Sequence, residues 1–97
     1  MNPASTENVC VHLLITGKVQ GVFFRAYARD QAVQLRLTGW VRNTADGKVE
    51  AVVEGSQDKV ESFVTWCRLG PPSSQVTDMR VEKQEYRGEF KQFSVRY

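Results

Sequence analysis

Twice along this chain an alternating apolar pattern gives way to a helical one, and each time glycine stands at the switch. Val9, Val11, Leu13 and Ile15 alternate with Cys10, His12 and Leu14, the period of a strand with one apolar face. Beyond the turn Gly17-Lys18-Val19-Gln20-Gly21-Val22-Phe23-Phe24-Arg25, the residues Phe24, Ala28, Ala32 and Leu35 recur at helical spacing and leave Arg29, Asp30 and Gln34 to water. Leu37 to Thr44 reads as a second strand, and Asp46-Gly47 is the hairpin signal that turns it into a third. That return strand, Lys48 to Glu54, carries Val49, Ala51 and Val53 inward and Glu50 and Glu54 outward. Gly55-Ser56 then opens a second helix, with Ser56 as N-cap and Asp58 in the first turn. Its stripe is Val60, Phe63, Val64 and Cys67, with Trp66 at the core edge, and Gly70-Pro71-Pro72 stops it. A strand near Val76 to Lys83, a polar connection from Gln84 to Lys91 and a last strand at Phe93, Val95 and Tyr97 complete the chain.

The order is β-α-β-β-α-β with an extra C-terminal strand. Two helices on one face of an antiparallel sheet make this an α+β, ferredoxin-like sandwich. A fold of this kind hosts many unrelated activities and settles none of them. Residues 9–97 are expected to form one domain, preceded by a disordered tail over residues 1–8 that lacks the basic and apolar regions of a signal peptide. No apolar run approaches the about 20 residues that a membrane helix needs. No membrane partner and a cytoplasmic location are therefore expected.

Charge narrows the partners further. Residues 1–48 hold six Lys/Arg against three Asp/Glu, and residues 49–97 hold seven against eight. The small positive excess falls in the half containing the glycine turn, which suits a small anion. It is far from the basic stripe of a nucleic-acid binder, so no nucleic-acid partner is expected. An RNA-binding domain of this topology would also need aromatics on a central strand, and the first strand offers only His12.

The glycine turn is the candidate site. Successive N–H groups in a strand-to-helix turn form a concave anion site, and the helix N-terminus adds its positive end. Arg25 in the first helical turn opposes the macrodipole by about 0.3–1 kcal/mol at an exposed site. A bound anion would give that arginine a purpose. A Gly-x-x-x-Gly turn is also common punctuation, and an arginine there can be an ordinary surface residue. The turn is neither a Walker loop, since no Gly-Lys-Ser/Thr follows, nor a dinucleotide fingerprint, since the third glycine is missing. Cys10 and Cys67 have no metal-ligand spacing and read as buried, inert thiols. The single histidine, His12, sits mid-strand and reads as structural. Neither a metal nor a cofactor is expected.

Taken together, Gly17-x-Val19-Gln20-Gly21-Val22-x-Phe24-Arg25 and Gly39-Trp40-Val41-x-Asn43 resemble the acylphosphatase family. The likeness runs on through Asp46-Gly47, Gly55, the Gly70-Pro71-Pro72-Ser73-Ser74 loop and the aromatic C-terminal strand, and so covers about residues 10–97. One departure touches helix capping rather than the site: Arg36 stands where the family usually has glycine. The resemblance implies hydrolysis of an acyl phosphate, a small-molecule substrate, to carboxylate and inorganic phosphate by a monomer without metal or cofactor. Arg25 and Asn43 would be catalytic, Arg25 on the phosphate and Asn43 on the attacking water. Gln20, Gly21, Val22, Phe23, Phe24 and Arg25 would form the phosphate site, within a backbone cradle running from Gly17 to Arg25. The residue chemistry agrees, because arginine presents an always-charged fork and an amide offers both donor and acceptor to a water. A non-catalytic phosphate-binding module would keep Arg25 and the cradle but would not need Asn43.

Overall fold

A computed structural model describes residues 7–97. Of the tail expected over residues 1–8, residues 1–6 lie outside the described residues, and Asn8 already pairs with Ser56 in the first strand. The elements are β1 (Asn8–Lys18), α1 (Phe24–Gln34), β2 (Thr38–Asn43), β3 (Val49–Ser56), α2 (Gln57–Leu69), β4 (Gln75–Gln84) and β5 (Phe93–Arg96). They form one five-stranded sheet in the order β4-β1-β3-β2-β5. The first four strands pair antiparallel, and the extra strand β5 adds to the free edge of β2 in parallel.

Alternation along the strands decides which face is covered. Val11, Leu13 and Ile15 of β1, Val49, Ala51 and Val53 of β3 and Val41 of β2 join Phe24, Ala28 and Ala32 of α1 and Val60, Phe63 and Cys67 of α2 in one core. Burying side chains of this size contributes about 1.5–3 kcal/mol each for the larger ones. Trp66 lies where its stripe position puts it, edge-on to Phe24 at 5.7 Å between ring centres.

The opposite, helix-free face is only partly open. His12, Glu50 and Arg42 form a row across it: His12 Nε2 lies 2.6 Å from Glu50 Oε2, and Arg42 Nε donates to Glu50 Oε1 at 2.6 Å. Glu54, expected to point outward to water, does face this side but is only 1% exposed. The reason is topological. β4 and β5 lie on opposite edges, so residues 85–92 must cross the sheet, and the backbone N–H groups of Arg87 and Gly88 each donate to Glu54 Oε2 at 3.2 Å. Glu54 Oε1 has no hydrogen-bond partner among the described residues. Cys10, the cross-strand neighbour of Glu54, is covered on the same face and is 4% exposed.

Candidate active site

β1 runs further than its apolar alternation suggests. Gly17 and Lys18 pair with Val76 and Gln75 of β4 beyond a bulge at Thr16/Gly17, so they belong to the strand and not to the turn expected to hold an anion. Gly17 is required there by close approach, since a Cβ would sit 2.0 Å from the Gln75 carbonyl oxygen. The turn proper is Val19 to Phe23.

Val19 and Val22 are buried and pin the turn to the core. Between and after them, Gly21 (φ 73°) and Phe23 (φ 61°) take left-handed conformations while Gln20 and Val22 do not. Alternation of this kind turns successive N–H groups inward to a common centre. For Phe23 the conformation costs about 1–2 kcal/mol, because its Cβ crowds the following carbonyl. Its ring is 78% exposed, so burial of that ring does not offset the cost.

The start of α1 is equally unfavourable on its own terms. No side chain caps it, no acidic residue occupies its first turn, and Arg25 places a cation there. Left-handed strain, missing cap and misplaced charge meet within three residues. An anion at this point would pair the uncapped amides and offset the arginine charge, and so compensate for the strain.

Asn43 reaches the same place from the other side of the fold. It ends β2, opposite Val49, and the hairpin that follows is tied back to the turn by Gln20. Both amide hydrogens of Gln20 are spent on this, Nε2 donating to the carbonyls of Thr44 and Lys48 at 2.8 Å each. The result is a cavity of about 490 Å³ walled by Gly21, Phe23, Phe24, Arg25 and Asn43, with Arg29, Val95 and Tyr97. The Asn43 side chain makes no hydrogen bond to any described residue. Arg25 is held at the wall by β5: Nη1 donates to the Arg96 carbonyl at 3.2 Å, and the guanidinium stacks 4.7 Å from the Tyr97 ring centre.

Of the residues expected at the phosphate, Gly21, Phe23, Phe24 and Arg25 line this cavity together with Asn43. Gln20 and Val22 stand outside the wall, one clamping the hairpin and the other filling the core. Sequence reasoning missed Arg29, Val95 and Tyr97. The helical pattern did contain a signal for Arg29, which lies four residues after Arg25 and so on the same side of α1. His12 and both cysteines lie away from the cavity, the Cys67 thiol pushed up by burial and the Cys10 thiol by burial and then by the Glu54 and Glu89 charges. Among the described residues no group of three or more His, Cys, Asp or Glu could hold a metal ion.

The family model described as Acylphosphatase matches residues 11–95. The chain belongs to the acylphosphatase family. Among its relatives, the acylphosphatase of Aeropyrum pernix is 53% identical over 90 residues, covering 92% of this chain and 89% of the relative. That of Pelotomaculum thermopropionicum is 50% identical over 86 residues, covering 89% and 94%. In three dimensions the chain is similar to the acylphosphatase from Bacillus subtilis, with a TM-score of 0.88 at 36% identity over 92% of this chain and 99% of that one. The family membership and the fold expected from the element order thus agree. No helix among the described residues is long and apolar enough to cross a membrane.

Proposed function

We propose that the cavity between the Val19–Phe23 turn and Asn43 hydrolyses acyl phosphates by attack of water on phosphorus. Family membership makes the chain an acylphosphatase, an enzyme acting on the carboxyl–phosphate bond. Phosphoryl transfer runs through a loose transition state with charge spread over the equatorial oxygens, so it demands positioning and charge stabilisation above all. Arg25 supplies a planar fork for two of those oxygens, and the inward amides of the turn with the uncapped helix end supply further donors. The Asn43 amide, with neither end committed, accepts a hydrogen bond from the attacking water and fixes its line of approach. Water adds to phosphorus, the P–O bond to the acyl oxygen breaks, and the carboxylate leaves as an anion while both water protons stay on the phosphate, which leaves as dihydrogen phosphate. Two cysteines left as free, buried thiols are consistent with the reducing cytoplasm.

The observation that carries the proposal is that Arg25 and an Asn43 side chain without a hydrogen-bond partner among the described residues line one cavity. The test separates their roles. Arg25→Ala should weaken inhibition by inorganic phosphate and depress turnover on benzoyl phosphate together, the loss of a charged hydrogen bond being worth about 1.5–3 kcal/mol. Asn43→Ala should leave the phosphate inhibition constant near its original value while turnover falls by about 10²-fold or more, as for a pre-positioned transition-state group. Turnover of the Asn43 variant equal to that of the parent would refute the water-positioning role. An inactive parent that still binds phosphate would convert the reading to a binding module.

A further inference from the structure

We propose that β4 is the contact surface for a second copy of this chain, and that two copies join edge to edge about a two-fold axis at Val81 into one continuous sheet. The inference is independent of the functional reading, and it replaces the monomer that the family resemblance implied.

The two edges of the sheet are unlike. β5 spans four residues, and its end is engaged with Arg25. β4 spans ten, contains neither proline nor glycine and pairs among the described residues only with β1, so a long row of its N–H and C=O groups faces outward. The ladder shows which residues own that row. Gly39 lies on the helix side of β2, opposite the core residue Val53, and its N–H donates to the Gln92 carbonyl on the side of β5. β1 runs parallel to β2, both being antiparallel to β3, so its helix-side residues direct their backbone groups the same way, toward β3 and away from β4. Leu13 and Val81 are therefore a non-hydrogen-bonded pair, and Met79, Val81 and Lys83 turn their N–H and C=O groups out of the sheet.

This strand is complementary to itself in one register. Its ladder to β1 is regular from Asp78 to Gln84 and breaks at Thr77, which the bulge leaves out of register. The middle of the regular stretch is Val81. An antiparallel copy centred there sets Val81 against Val81, Met79 against Lys83 and, on the helix-free face, Arg80 against Glu82 twice. Arg80 is exposed and has no ion pair with any described residue, and Glu82 has only His12, at 3.9 Å. Centring on Arg80 or on Glu82 would oppose like charges, and centring on Met79 would need the bulged Thr77 in the ladder. Asp78, Arg80, Glu82 and Lys83 also balance in charge, so the two edges meet without net repulsion.

The helix side supplies the apolar part. Val81 is 38% exposed and lines a groove of about 420 Å³ together with Val9, Val11, Val60 and Val64. A two-fold axis perpendicular to the sheet keeps the helices of both copies on one face, so the two grooves meet along Val81. The cavity of Arg25 and Asn43 is walled by α1, β2 and β5, away from the β4 edge, and stays open.

A contact of this length is small, so dimerisation should depend on concentration over about 1 μM to 1 mM. Sedimentation velocity across that range should show the 11.0 kDa chain passing into a species of twice its mass. Val81→Pro removes an outward N–H and no bond to β1, and should stay folded and monomeric. Arg80→Glu and Glu82→Arg each oppose like charges twice and should weaken association by about tenfold or more. Mixing these two variants restores opposite charges at both pairs, so the mixture should dimerise as the parent does. Every variant should keep the parent's turnover on benzoyl phosphate, and if Val81→Pro does not fold, the two exposed charge variants decide alone. A parent that is monomeric throughout the range overturns the inference. Association that survives both single charge variants would place the contact elsewhere, and a mixture no more associated than its components would refute the register. Species larger than a dimer would also refute it, since an isologous contact closes on two copies.

Discussion

Replacing Arg36 by glycine should make the protein more stable. Helix α1 ends in a Schellman arrangement: the Leu37 N–H donates to the Ala32 carbonyl at 2.8 Å and the Arg36 N–H to the Val33 carbonyl at 3.0 Å. This closure needs a left-handed residue after the cap, and Arg36 provides it at φ 59°. The arginine where the family usually has glycine has therefore kept the glycine geometry. A non-glycine residue there costs about 1–2 kcal/mol. Against this, glycine loses more freedom on folding, by about 0.5–1 kcal/mol, and a cation at a helix C-terminus is worth a few tenths at an exposed site. The Arg36 side chain is exposed and makes no hydrogen bond or ion pair with any described residue, so truncation removes no contact. The balance favours glycine by about 0.5 kcal/mol, or about 2–4 °C in Tm for a domain of this size. Thermal and urea melts of Arg36→Gly and Arg36→Ala decide it. Alanine keeps the Cβ and hence the strain, so it should gain nothing. A glycine variant no more stable than the alanine variant would refute the strain argument.

Two further predictions concern the helix-free face. Glu54→Ala should cost about 1 kcal/mol in urea melts, because it removes the acceptor shared by the Arg87 and Gly88 amides, whereas Glu54→Gln keeps an acceptor and should cost less; equal stability of the alanine variant and the parent would show that the crossing segment is held otherwise. For Glu50, burial pushes the carboxyl up, but the hydrogen bonds from His12 and Arg42 outweigh it and hold the pKa below the ordinary 4.5, with Glu82 facing His12 from β4 at 3.9 Å. Stability from a group lowered in this way is complete above its unfolded pKa and is lost as pH falls through the folded one, so the melting temperature of Glu50→Gln should fall less than that of the parent between neutrality and pH about 3. Parallel acid limbs for the two proteins would contradict this.

Most of the architecture was legible because each element announces its own period. The alternation Val9 to Ile15, the stripe Phe24-Ala28-Ala32 and the Asp46-Gly47 turn are local signals, and all became the elements they indicate. What escaped was set by distant neighbours. The continuation of β1 through Gly17 and Lys18 depends on pairing with β4, nearly 60 residues away, and the alternation of β1 has ended by then. Glu54 follows an outward rhythm correctly, yet no local pattern says that a later segment will cover it. Arg29 looked like part of a solvated face because its local chemistry is that of one. Only the arrival of β5 beside α1 turns that stretch of surface into the wall of a cavity.

The two ends of α1 show how local rule-breaking separates into kinds. Phe23 and Arg36 are the only non-glycine left-handed residues among those described, and they bracket the same helix. Their backbone costs are alike, but their surroundings are not. Around Arg36 the N–H groups of Leu35, Arg36 and Leu37 all find carbonyls, and Arg36 is not part of the cavity wall. The strain there supports a closure that glycine would make as well. Around Phe23 the strain coincides with an uncapped helix, a cation against the macrodipole and an uncommitted amide across a cavity. A bound anion would answer the first two and the water that attacks it the third, and that coincidence ties the strain at Phe23 to the proposed site. A left-handed residue alone indicates neither case. The polar groups around it, satisfied at one end of the helix and waiting at the other, decide which it is.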